Sequence, residues 1–292
     1  MLDRNPFAGP KVSGKDTDQP YPGTDEDLTP GADHGEESYT GSGRLEGLAA
    51  VITGGDSGIG RAVAICFAKE GADVAIGYLS DAEDGDAQET RRQVEAAGRR
   101  CIVHQFDVRE KQACTEFVDR AAREFGRLDI LVNNAAYQME QEGIEDITEE
   151  QLDRTFRTNI YGYIYMAQAA LRHLDKGGVI LNTGSVTALE GNPGLIDYSA
   201  TKGAIHTFTK ALAQSIADKG IRVNVVAPGP VWTPLIPATL EPEHVKKFGQ
   251  DSMWKRPAQP VEIAAGFVYL ASADARYVSG EVLAITGKTS SR

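Results

Sequence analysis

The sequence predicts a doubly wound α/β fold, with about seven parallel strands in one sheet, helices on both faces, and an extended N-terminal arm ahead of them. Three observations predict it. Short apolar runs at 48–52, 72–76, 101–106, 128–132, 178–183, 221–227 and 281–285 alternate with longer segments of helical spacing at 58–70, 84–98, 110–125, 149–174, 198–219 and 261–272. Strands that read as continuous apolar runs are buried on both faces, as in a parallel sheet covered by helices. Finally, the pattern starts near residue 44, and the stretch before it carries almost no apolar periodicity.

Residues 1–43 hold nine acidic and three basic side chains together with five Pro and seven Gly. A segment of that composition cannot bury enough surface to fold alone. It is expected as an acidic Pro/Gly-rich arm, with Phe7, Tyr21 and Tyr39 able to anchor it on a neighbouring subunit and plain disorder as the competing state. The first strand then runs into T-G-G-D-S-G-I-G at 53–60, and Ile59, Val63, Ile65, Cys66 and Phe67 carry the pattern on as a helix. Such a strand, tight turn and helix let backbone N–H groups and the positive end of the helix approach a pyrophosphate, because glycine puts no side chain in the way. The spacing is not the general G-x-G-x-x-G, and by itself it also fits a turn that binds nothing.

The second strand ends in Ile76-Gly77-Tyr78-Leu79-Ser80, the third leads to Asp107-Val108, and the fourth to Asn133-Asn134-Ala135-Ala136. The fifth reaches Ser185, and the helix after it carries Tyr198 and Lys202 four positions apart, on one face. An ammonium beside a phenol stabilises the phenolate, so Tyr198 is expected to titrate below the usual value of about 10 and to serve as acid or base. Between the sixth strand and the last helix, 231–259 breaks the rhythm with several Pro and with Trp232 and Trp254. Ligands of open α/β sheets sit beyond the carboxyl ends of the strands, so this segment is expected to be a substrate lid. It offers Trp232, Leu235, Ile236, Phe248, Met253 and Trp254 to an apolar or amphipathic molecule.

Composition narrows the partners. A chain of 292 residues with 41% hydrophobic content fits one large α/β domain plus an appendage. Its net charge of −12 disfavours nucleic acid and anionic membrane surfaces. No apolar run approaches the roughly 18 residues of a membrane helix, and the first ten residues lack a signal-peptide core, so a cytoplasmic protein is expected. Cys66, Cys101 and Cys114 are scattered and outside metal-ligand spacing, so they are expected as reduced thiols, with no metal site.

From Leu45 to the C-terminus the chain resembles the classical short-chain dehydrogenase/reductases. The features that carry the resemblance are T-G-G-D-S-G-I-G, Asp107-Val108, N-N-A-A at 133–136, Asn159, Ser185 with Tyr198 and Lys202, and P-G-P-V-W-T at 228–233. The arm, with Gly54-Gly55-Asp56-Ser57 and Trp232-Thr233-Pro234, is similar to the bacterial general-stress, glucose/ribitol dehydrogenase-like branch. The resemblance implies a single Rossmann-type NAD(P)-binding catalytic domain over 44–292, assembled as a homotetramer. It also implies hydride transfer between nicotinamide and an alcohol or carbonyl of an aldehyde, ketone, sugar or polyol. Tyr198 would be the general acid/base and Ser185 would hold the reacting oxygen. Lys202 would also bond the nicotinamide ribose, and Asn159 would order a water. Cofactor contacts are implied at Gly54, Asp56, Ser57, Gly58, Ile59, Gly60, Asp107, Val108, Asn133, Ala135, Tyr198, Lys202, Pro228, Gly229, Val231 and Thr233.

Asp56 and the nearby Asp81, Glu83, Asp84 and Asp86 oppose an extra phosphate, which leans the expectation toward NAD over NADP. Two positions depart from the family pattern, Ala136 in place of a frequent glycine and Ile285-Thr286-Gly287-Lys288 in place of D-G-G. A non-catalytic dinucleotide-binding sensor or scaffold on the same fold is the main alternative, and another nucleotide-fold enzyme a weaker one.

Overall fold

The computed structural model describes residues 4–9, 12 and 19–288, built on one seven-stranded parallel sheet. The strands are β1 (Ala49–Thr53), β2 (Asp73–Tyr78), β3 (Cys101–Gln105), β4 (Leu128–Asn133), β5 (Leu174–Thr183), β6 (Arg222–Pro228) and β7 (Val282–Ile285). Their spatial order is β3-β2-β1-β4-β5-β6-β7. The chain builds outward from β1 to the β3 edge, then returns to lay β4 on the other side of β1. That reversal opens a crevice beyond the carboxyl ends of β1 and β4, where doubly wound folds take their ligands.

The helices are α1 (Gly58–Lys69), α2 (Asp84–Ala96), α3 (Lys111–Phe125), α4 (Glu149–Phe156), α5 (Gly162–Ala170), α6 (Thr187–Glu190), α7 (Ile196–Ser215), α8 (Leu235–Thr239), α9 (Pro242–Val245) and α10 (Pro260–Ala271). Along β1, Ala50 and Ile52 face the core shared with α1, α2 and α10, while Ala49 and Val51 face the core shared with α3, α5 and α7. Period-two alternation with apolar residues on both faces is what makes these strands read as unbroken apolar runs. Each such fully buried aliphatic side chain is worth about 1.5–3 kcal/mol.

One expected helix is two. Over 149–174 the chain forms α4, a π-helical turn at Arg157–Tyr161, and α5, and the strand then begins at Leu174 rather than 178. The wide turn carries Asn159, whose side chain takes the N–H of Tyr137 at 2.8 Å and donates to its carbonyl at 2.9 Å. A π turn keeps the helical periodicity, so the pattern alone does not reveal it. The early start of β5 comes from Leu174 pairing with Leu128 before a register shift that brings Val179 opposite Ile130.

Of the expected arm, residues 1–3, 10–11 and 13–18 lie outside the described residues. The rest packs against the domain of the same chain. Tyr39 donates to Glu70 at the end of α1, and Arg44 pairs with the same carboxylate at 2.7 Å. Lys69 donates to the carbonyls of Gly35, Glu36 and Tyr39 at 2.6–3.0 Å. Phe7 meets Trp254 edge-on at 5.6 Å, and Tyr21 meets Tyr137 at 5.1 Å. The arm thus lacks a core of its own and borrows the domain's: Val12 and Leu28 are buried with Trp232, Ile236 and Val245.

Candidate active site

A cleft of about 950 Å³ runs along the carboxyl ends of the strands. The turn between β1 and α1 forms its floor. Gly58 has φ +51°, strained for any other residue, and a Cβ there would stand 3.0 Å from the Thr233 side chain and press on the loop at 228–233. Thr53 Oγ1 accepts the N–H groups of Asn134 and Ala135 at 3.0 and 3.1 Å, and Asn134 Nδ2 donates to the Gly54 carbonyl at 3.0 Å. Asn134 therefore ties the end of β4 to the glycine loop, a role the sequence motif did not single out.

Gly54, Asp56, Ser57, Gly58, Ile59, Asp107, Val108, Ala135, Pro228, Gly229, Val231 and Thr233 all line the cleft, together with Ser185, Tyr198 and Lys202. Gly60, Asn133 and Asn159 stand behind its wall. A Cβ on Gly60 would fall 1.7 Å from the Gly54 carbonyl oxygen, so this glycine packs α1 against the turn. Asn133 pairs in register with Asn182 on β5 and donates to its side chain at 2.9 Å. Asn159 is fully buried and, besides its bonds to Tyr137, donates to Thr201 Oγ1 at 3.0 Å on α7.

Ser185 follows β5, and its Oγ accepts from the N–H and hydroxyl of Thr187 at 3.1 and 3.0 Å. Tyr198 and Lys202 lie one turn apart on α7, both buried, with Lys202 Nζ 5.3 Å from the Tyr198 ring centroid. The ammonium donates to the Thr183 carbonyl at 2.8 Å. Burial pushes the Tyr198 phenol up to about 12, with the Ser185 hydroxyl pulling the other way, and burial brings Lys202 down to about 7. The expected depression of Tyr198 by Lys202 is thus not present: the lysine's charge is directed to a backbone carbonyl, and desolvation dominates both groups.

The segment 231–259 contains α8 and α9 and is less apolar toward the cleft than expected. Trp232 is fully buried beneath it, donating Nε1–H to the Pro30 carbonyl at 2.6 Å, while Met253 and Trp254 are exposed. Leu235, Ile236 and Phe248 do line the cleft, alongside Gln138, Glu140, His244, Lys247, Asp251 and Lys288. Glu140 clamps this segment, accepting the Glu241 N–H at 2.9 Å and pairing with His244 at 2.8 Å. Lys288, from the departing C-terminal phrase, reaches Asp251 at 3.0 Å.

The acidic residues behind the lean to NAD are engaged within the protein, and two of them, Asp56 and Asp86, have their charge reduced or paired. Burial, with the charge of Glu83 adding to it, pushes Asp56 well above the usual carboxylate range and favours its neutral form. Asp86 pairs with Arg61 at 2.8 Å, Asp84 accepts from Tyr78 at 2.7 Å, and Glu83 accepts the Ser80 N–H at 2.9 Å. Arg109 and Arg154 line the same cleft. The expected lean loses part of its electrostatic basis. Among the described residues no cluster of His, Cys, Asp and Glu could hold a metal ion.

A family model described as enoyl-(acyl carrier protein) reductase matches residues 54–287. General stress protein 39 of Bacillus subtilis is 49% identical over 95% of this chain and 96% of its own length. Glucose and ribitol dehydrogenase of Daucus carota is 47% identical over 90% of this chain and 91% of its own. Among solved structures, a short chain dehydrogenase from Burkholderia cenocepacia J2315 in complex with NADP superposes with a TM-score of 0.79 at 36% identity, covering 84% of this chain and 98% of that one.

Proposed function

The chain belongs to the short-chain dehydrogenase/reductase family of oxidoreductases, and from that premise we propose that it moves a hydride between a nicotinamide dinucleotide and an alcohol or carbonyl, with Tyr198 as general acid and base. The observation that carries this reading is the meeting of Ser185, Tyr198 and Lys202 in the same cleft as the glycine loop. The residues fit a dinucleotide. The cleft is of suitable volume, α1 points its N-terminus at it, and glycine at 58, in a left-handed conformation, keeps a side chain off the turn. Proposed contacts are the lining residues of the glycine loop, Asp107, Val108, Ala135 and the loop at 228–233.

When bound, the dinucleotide supplies or accepts the hydride. The chain handles the proton. With its phenol held near 12, Tyr198 keeps its proton at neutral pH and can give it to a carbonyl oxygen that Ser185 Oγ also holds. Lys202 Nζ, 5.3 Å from the ring centroid, would offset part of the negative charge left on the phenolate in molecules where the amine carries its proton, and the reverse reaction, which needs the phenolate to take the alcohol proton, is expected to gain as pH rises. Asn159, sealed behind the cleft, is read as a positioning residue that ties Tyr137 to Thr201 on α7.

The dinucleotide is read as NADP(H), supported by the Burkholderia relative that holds NADP and by Asp56, whose neutral form burial favours. The polar side chains under α8 and α9 suit a hydroxylated aldehyde, sugar or polyol, in keeping with the name of the carrot relative. A homotetramer in the cytoplasm completes the reading; among the described residues no helix is long and apolar enough to cross a membrane. The test is a screen of aldehydes, sugars, polyols and ketones by nicotinamide absorbance with both dinucleotides. The reading expects turnover with at least one carbonyl or polyol and faster turnover with NADP(H), while tight dinucleotide binding with no turnover on any class favours a non-catalytic sensor.

A further inference from the structure

The arm approaches the cleft at two points, and the first is a fixed anchor on the glycine loop. Asp25 Oδ2 accepts the Gly58 N–H at 3.0 Å and pairs with Arg61 at 3.3 Å and His34 at 3.0 Å. Its own N–H donates to Asp86 at 2.7 Å. Three carboxylates, those of Asp25, Asp86 and Glu36, the last 3.2 Å from His34, share the two cations Arg61 and His34, and Asp25 itself does not line the cleft. The Trp232 bond to Pro30 then fastens the arm to the far side, beneath the segment that carries α8.

The second point lies four residues before the anchor, where Tyr21 and Pro22 line the cleft itself. The Tyr21 ring packs edge-on to Tyr137 with centroids 5.1 Å apart, and the Arg154 guanidinium lies 4.5 Å from the centroid of Tyr21 and 4.3 Å from that of Tyr137. Tyr21 feels the charge of Glu83 and is felt by Arg109, residues that follow β2 and β3 respectively. With the pyrophosphate at the start of α1 and the reacting ring toward Tyr198, the region beyond β2 and β3 is left for the adenosine half. Tyr21, held against Arg154, therefore presents an aromatic and cationic wall where an adenine would enter.

We propose that the N-terminal arm completes the dinucleotide site, with Tyr21 as the residue that covers its adenosine end. This rests on the oxidoreductase reading above. The domain supplies Arg154 and Tyr137 to that wall, and the ring that faces the cleft with them, Tyr21, comes from a segment that sequence composition marks as unable to fold alone.

The test is calorimetric titration of the full chain with NADP, NAD, AMP and nicotinamide mononucleotide, for wild type, Tyr21→Ala and Tyr21→Phe. Tyr21→Ala is expected to weaken AMP and NADP about tenfold or more, as loss of an aromatic contact to a base does, and to leave nicotinamide mononucleotide unchanged. Tyr21→Phe, which keeps the ring, is expected to stay within about threefold of wild type. Unchanged or tighter AMP binding by Tyr21→Ala overturns the proposal, and so does an equal loss for AMP and nicotinamide mononucleotide. A wild-type chain that binds neither NADP nor NAD sinks the oxidoreductase reading and this inference together, whereas wild-type binding with an unaffected Tyr21→Ala sinks the inference alone.

Discussion

Gly60 shows how a residue can serve the site without lining it. An alanine methyl there would overlap the Gly54 carbonyl oxygen, a backbone atom that cannot swing aside as a side chain can, so the turn or the start of α1 must shift. Gly60→Ala is expected to weaken dinucleotide binding tenfold or more and to cost about 1–3 kcal/mol of stability, measured by titration and by urea unfolding. Binding equal to wild type would show that the turn relaxes freely. At this scale the polar chemistry was legible where spacing carries it: Ser185, Tyr198 and Lys202 meet as a helix turn after a strand end requires. The environment was not legible. That both Tyr198 and Lys202 are desolvated depends on chains of contact from Thr183, Tyr163 and β6, and no local spacing encodes burial.

Among the elements, the arm departs most from what composition suggests. Its hold on α1 includes a titrating joint, His34, whose side chain is 4% exposed. Burial pulls this imidazole down, but the Asp25 charge and hydrogen bonds to Asp25 and Glu36 outweigh that and raise it to about 9. Because the folded value lies above the unfolded 6.5, the contribution is fully present below about pH 6.5 and is lost as pH rises through about 9. The difference in urea-unfolding free energy between wild type and His34→Gln is therefore expected to be largest below pH 6.5 and to shrink toward pH 9. A difference that stays constant across that range contradicts the ion-pair account. The order of strands and helices was readable from alternating apolar runs, whereas the π turn at Arg157–Tyr161 and the arm's docking were hidden. The first preserves helical periodicity, and the second depends on side chains such as Glu70 and Trp232 that lie far away in sequence.

For the whole molecule, the lid, the arm and the glycine loop form one connected body around the cleft. Glu140 links the strand end to α9, Trp232 links the segment beneath α8 to the arm, and Asp25 links the arm to α1. The outer surface bears on assembly. Leu152 on α4 and Tyr161 in the π turn are both 44% exposed, leaving apolar area on the helical segment 149–174, which with the helix at 198–219 is proposed to pair across a symmetric interface. Light scattering at micromolar concentration is expected to return a tetramer, and a monomer there removes the assembly proposal.

The central claim is that a buried phenol moves the proton while the bound dinucleotide moves the hydride. Tyr198→Phe keeps the ring and removes only the transferable proton, so the decisive measurement pairs dinucleotide titration with turnover on the best substrate of the screen. The account predicts dinucleotide affinity within about threefold of wild type and kcat lower by a factor of about 10² or more. A Tyr198→Phe enzyme that binds normally and retains most of its turnover would contradict it.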